Sequence, residues 1–165
     1  MAINTKNDKS KLGIKGLAAV LNKKSGMNVA HTMGDDNPSE VTDWIPTNCT
    51  WLDGIICRGK MAGIPVGRIT EIAGLEGSGK SYMAAQIAGN AQDMGIDVVY
   101  FDSENSIDPG FLASAGCNIE TLLYVQASSV EFVLETIESL LANNDSQMLF
   151  IWDSMALTPS VSDIE

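Results

Sequence analysis

Unbroken apolar runs recur along the second half of the chain. "DVVYFD" (97–102) and "QMLFIWD" (147–153) each close on an acid, and "TLLYVQA" (121–127) is a third run. The first two predict strands covered on both faces, as in a parallel sheet, and the third predicts a strand. A further buried strand is expected over 68–73, "RITEIA". Helical periodicity fills the gaps. "SYMAAQIAGNAQDMG" sets Met83, Ile87, Ala91 and Met94 on one face, with Gly95 as the stop. "DPGFLASAG" predicts a short helix with Pro109 in its first turn. "SSVEFVLETIESLLANND" buries a stripe of Val130, Val133, Leu134, Ile137, Leu140 and Leu141. Glu131, Glu135 and Glu138 face water, and Ser128 with Glu131 forms a capping box. Strands alternating with helices predict an α/β fold with a parallel sheet.

The pattern is looser over residues 1–41, which read as an N-terminal arm ahead of a core at 42–165. "KLGIKGLAAVLNKKSG" predicts one helix, with Leu12, Leu17, Val20 and Leu21 in an apolar sector and Gly26 ending it. "MNVAHTM" reads as a short strand and "GDDNPSE" as a loop; a partly disordered terminus is the competing reading. "TNCTWLDGII" predicts a turn into a short helix, with Thr50 as its cap.

At 165 residues and 45% hydrophobic content, one domain plus an arm has material for a packed core. There is no long apolar span and no recognisable secretory leader, which predicts a cytoplasmic protein without a membrane partner. Cys49, Cys57 and Cys117 lack metal spacing and read as buried thiols. His31 is assigned nothing. Trp44, Trp51 and Trp152 read as core packing rather than a base-stacking platform.

Net charge is −11, unevenly spread. Six of ten basic residues fall in the first 24 positions; after Lys80 there is no Lys or Arg, against 13 Asp and Glu. Nucleic acid is held chiefly by cations on phosphates, so residues 81–165 exclude a basic DNA track.

The candidate chemistry lies where ligands sit on parallel sheets, beyond the carboxyl ends of the strands. "GLEGSGKS" fits G-x-x-x-x-G-K-[ST] at Gly74, Gly79, Lys80 and Ser81. Successive N–H groups of such a loop converge on one concavity, and the following helix directs its positive end there. Gly77 and Gly79 allow the backbone angles required. Lys80 would reach the β- and γ-phosphates, and the Ser81 hydroxyl would ligate Mg²⁺. A glycine turn carrying a surface lysine is the bland alternative. Asp153 suits a magnesium-organising carboxylate, or merely a turn. Glu104 stands where a residue polarising water against a γ-phosphate would be, and Asp102 is an equal candidate at this point.

Three blocks, "VGRITEIAGLEGSGKS", "VVYFDSENSIDPGFLASAG" and "MLFIWDSMALTPS", in this order and spacing resemble the ATPase core of RecA-type recombinases. The "DSE" of the second block is similar to the phage, UvsX-like branch. The resemblance covers about residues 42–165 and implies a RecA-like P-loop NTPase core with ATP and Mg²⁺ as cofactors. It implies that Glu104 activates water, that Lys80 is catalytic, and that Ser81 and Asp153 serve the metal. ATP would be bound by Gly74, Leu75, Glu76, Gly77, Ser78, Gly79, Lys80, Ser81 and Tyr82. Asp108 and Phe111 would contact the adenine, the Phe111 ring by stacking. The arm resembles a segment that packs on the neighbouring subunit of a filament. The family's DNA-binding loops, its nucleotide-sensing glutamine and further strands of its sheet come after the stretch matching "LTPS", so the core is expected to be truncated. Single-stranded DNA would then be bound through segments absent here, with a second fragment as a partner. The implied function is the ATP-binding part of a DNA-dependent ATPase for homologous recombination and repair; the alternative is a RecA-like regulatory paralogue or inactive remnant.

Overall fold

The structure is a computed structural model that describes residues 12–34, 40–60 and 62–164. It divides into two units, Met1–Val41 and Thr42–Glu165.

In the first unit, α1 spans Ile14–Ser25 and ends on Gly26, whose φ of 71° is the left-handed cap the sequence predicts. No residue of α1 is buried, so the Leu17, Val20 and Leu21 sector is open. The strand expected in "MNVAHTM" does not form. Asn22 replaces a ladder there: its side chain accepts from Val29 N–H and Ala30 N–H and donates to the Ala30 carbonyl. Residues 35–39 of the expected loop, and the lysines at 6, 9 and 11, lie outside the described residues.

The second unit opens with β1 (Trp44–Ile45), α2 (Thr50–Ile56) and β2 (Ile64–Pro65), the two short strands pairing antiparallel. Cys49, not Thr50, is the cap of α2, because Thr50 is already its first helical residue. Buried Asp53 ties the turn before α2 by accepting from the Thr47 N–H and hydroxyl. Next come α3 (Lys80–Asp93), β3 (Asp97–Asp102), α4 (Pro109–Ser114), β4 (Leu122–Gln126), α5 (Val130–Asn143) and β5 (Met148–Asp153). A 3-10 turn (Met155–Leu157) and α6 (Val161–Ile164) follow. The strands β3, β4 and β5 form a parallel sheet in the order β4-β3-β5.

Side-chain alternation splits the core in two. Val98 and Tyr100 join Leu149 and Ile151 against Ala85, Ile87 and Ala88 of α3. Val99 and Phe101 join Phe150 and Trp152 against Val133 of α5. This is a parallel α/β core with helices on both faces. Gly89 lets α3 approach closely, since a Cβ there would meet the Gly116 carbonyl oxygen at 2.6 Å.

Several expectations fail for lack of neighbours. Residues 68–73 form no strand: no strand ladder among the described residues includes them, and Ile69 is fully exposed. An apolar run becomes a strand only when its N–H and C=O groups find a ladder. For the same reason β5, paired on one side only, is half-buried rather than fully buried. Leu134, Leu141 and Met94 are exposed at the rims of their helices, Trp51 lies on the surface of α2, and Cys49 is exposed while Cys57 and Cys117 are buried. The cap of α5 is Ser129, whose hydroxyl accepts from Phe132 N–H at 3.1 Å, not Ser128. Glu131 accepts instead from Val161 N–H at 3.0 Å.

Candidate functional site

The segment 74–79 leads directly into α3. Gly77 and Gly79 have φ of 70° and 92°, left-handed values that glycine adopts without strain. Gly79 caps the helix, and Lys80 and Ser81 are its first residues. The Lys80 ammonium folds back over the loop, donating to the Gly74 and Leu75 carbonyls at 3.0 Å each. The backbone N–H groups of Gly77, Gly79, Lys80 and Ser81 make no hydrogen bond to the described residues. A fixed cation and several free donors thus share one end of a 14-residue helix.

The acids at the strand ends separate by environment. Asp102 is buried and well bonded: its carboxylate accepts from Glu104 N–H, Ile107 N–H and the Tyr124 hydroxyl, each at 3.0 Å. It therefore builds the 103–107 loop, and most of its acceptor capacity is spent on that loop and on Tyr124. Glu104 sits on that loop, exposed, with no side-chain hydrogen bond among the described residues. Neither position nor bonding was readable from "FDSEN"; burial is what parts the two acids.

Asp153 ends β5 opposite Asp102. By alternation it continues the Leu149–Ile151 row, on the α3 face of the sheet. The Tyr100 hydroxyl donates to Asp153 Oδ2 at 3.0 Å. Burial, and then the Asp153 carboxylate, push this phenol far above its ordinary range, so it remains a donor. The turn beyond is pinned by Ser103, which donates to the Ser154 carbonyl and accepts from its N–H, and by Thr158, which bridges Trp152 Nε1 and the Ser154 carbonyl. Sequence reasoning missed Tyr100, Ser103 and Thr158. The only signal for Tyr100 was a hydroxyl inside an otherwise apolar run.

Asp108 caps α4, accepting from Phe111 N–H at 2.9 Å. The Phe111 ring meets Tyr82 of α3 edge-on, with centroids 6.0 Å apart. The structure thus brings Tyr82 and Phe111 together beside the start of α3.

The family model described as the RecA N-terminal domain matches residues 14–165. The chain belongs to the RecA family. It is 34% identical over 159 residues to Protein RecA of Chloroflexus aurantiacus, covering 96% of this chain and 44% of that relative. It is 33% identical over 155 residues to Protein RecA of Chlamydia felis, covering 94% of this chain and 43% of that relative. The chain therefore spans less than half the length of these curated RecA relatives. The match supports the α/β assignment. The relatives named are bacterial, and they lend no support to the narrower UvsX-like assignment.

Proposed function

We propose that this chain binds Mg·ATP at the Gly74–Ser81 loop, as the nucleotide-binding part of a DNA-dependent recombinase ATPase. One observation carries the reading: the Lys80 ammonium and the free N–H groups of Gly77, Gly79, Lys80 and Ser81 converge at the start of α3. That pairing of charge and donors suits polyphosphate. In this role Lys80 exchanges its two carbonyl acceptors for phosphate oxygens. Tyr82 and Phe111 supply aromatic faces for the base, and Asp108 holds Phe111 through the α4 cap.

The donor set also fits magnesium. Among the described residues no cluster of three or more His, Cys, Asp or Glu forms a protein cage for a metal. Mg²⁺ needs none: it takes one or two carboxylates, retains waters, and draws its other ligands from the phosphates. Ser81 and Asp153 are hard oxygen donors of that kind, and Asp153 Oδ1 makes no hydrogen bond among the described residues. Ser81 and Asp153 would hold the ion, which when bound would supply positive charge to the phosphates. Glu104 is the base: its carboxylate takes a proton from the attacking water as the oxygen bonds to the γ-phosphorus and the bond to the β-phosphate oxygen breaks. Asp102 holds the Glu104 backbone in place. Filament formation and single-stranded DNA binding, which the RecA relationship suggests, are proposals for the whole protein, since the chain spans less than half of its RecA relatives.

Binding of a fluorescent ATP analogue with Mg²⁺ tests the assignment. The parent is expected to saturate and Lys80→Ala to lose binding. Equal affinities would remove the loop from the account.

A further inference from the structure

On the α3 face of the sheet two tyrosines repeat one geometry. Tyr124 of β4 stands opposite Tyr100 of β3, which stands opposite Ile151 of β5. Each phenol reaches diagonally to the acid one strand over and two residues on. Tyr124 donates to Asp102 Oδ2 and Tyr100 to Asp153 Oδ2, both at 3.0 Å. Diagonal neighbours in a sheet lie within reach of aromatic side chains.

The two contacts differ in what surrounds them. Tyr124 is 40% exposed, and Asp102 keeps two backbone donors without it. Tyr100 is 0% exposed, locked among Ala85, Ile87 and Ala88. Its hydroxyl is the only donor to the Asp153 side chain among the described residues. A buried ring with one polar handle fixes whatever that handle touches.

We propose that Tyr100 is a positioning residue for magnesium: it holds Asp153 Oδ2 so that Oδ1 is left as the acceptor offered to the ion. This rests on the Mg·ATP reading above. Without the phenol, Asp153 loses its fixed orientation. Loss of such an outer partner typically costs about 10–100-fold in metal affinity. A tyrosine that served packing alone would change stability when its hydroxyl was removed and leave the magnesium requirement untouched.

The test is a Mg²⁺ titration of fluorescent ATP-analogue binding for the parent chain, Tyr100→Phe, Tyr124→Phe and Asp153→Asn. Tyr100→Phe is expected to raise the Mg²⁺ midpoint about tenfold or more. Its affinity in EDTA should match the parent's, and Tyr124→Phe should stay within about twofold. Because Tyr100 acts through Asp153, adding Tyr100→Phe to Asp153→Asn should move the midpoint no further. A Tyr100→Phe midpoint equal to the parent's, or full additivity with Asp153→Asn, overturns the proposal while leaving the ATP site standing. A parent that shows no magnesium-dependent binding overturns both, and is visible in the parent's own curve. If Tyr100→Phe does not fold, 3-fluorotyrosine at position 100 keeps the ring and alters the hydroxyl's donor strength. A shifted midpoint then supports the role and an unchanged one overturns it.

Discussion

Asp102 and Glu104 are two residues apart and chemically alike, yet their surroundings assign them opposite work. Asp102 satisfies two backbone N–H groups and a phenol from a buried position. An amide there keeps one acceptor oxygen and turns a donor toward N–H groups that need an acceptor. Hydrogen bonds to a charged group contribute about 1.5–3 kcal/mol, so Asp102→Asn is expected to destabilise by about that much. Glu104 is exposed, and Glu104→Gln should stay within about 0.5 kcal/mol. Urea denaturation of the two variants checks both. In a preparation that turns over ATP, Glu104→Gln should lower the rate about 10²–10⁴-fold with nucleotide binding retained. Turnover surviving in Glu104→Gln would remove that residue as the base. The Gly74–Ser81 signature and the acid at the end of β5 were legible because residue type and spacing alone define them. Residue type and spacing left Asp102 and Glu104 level, only the family resemblance favouring Glu104, and the phenol behind Asp153 was not legible, because both depend on which way side chains turn across neighbouring strands.

At the scale of elements, local chemistry decides the helix ends and pairing decides the strands. Helix α5 begins on Ser129, whose hydroxyl serves Phe132 N–H. Ser129→Ala should cost about 1 kcal/mol, while Ser128→Ala should be near neutral, measured by thermal or denaturant unfolding. The reverse order would restore the cap to Ser128. Periodicity located α3, α4 and α5 because each helix closes its own hydrogen bonds. β3 was equally legible, being paired on both sides and covered by both layers. The run at 68–73 sets Ile69, Ile72 and Ala73 among Arg68, Thr70 and Glu71 and stays outside the sheet. Its sequence states a preference that only a neighbouring strand can satisfy.

Across the whole molecule, the open surfaces share a theme. Among the described residues β4 and β5 each leave one edge unpaired, Ile69 is fully exposed, and Leu134, Leu141, Trp51 and Ile55 stand on helix faces with little cover. Free strand edges and contiguous apolar surface promote association. The purified chain is expected to self-associate as its concentration rises, readable by sedimentation velocity. A polypeptide matching the remaining length of the RecA relatives should suppress that association on co-expression. A monomer at all concentrations, unfolding cooperatively, would show that these surfaces need no cover. Charge bears on DNA as well: residues 81–165 carry no Lys or Arg, so they offer no cations to DNA phosphates.

The central claim is that the start of α3 is a polyphosphate site. Backbone amide NMR on addition of Mg·ATP tests it most directly. The N–H resonances of Gly77, Gly79, Lys80 and Ser81 should move together and saturably, downfield as they gain phosphate acceptors. Lys80→Ala should abolish the response. Resonances that stay fixed while ATP is bound, or shifts confined to the apolar hollow around Trp51 and Ile55, would contradict it.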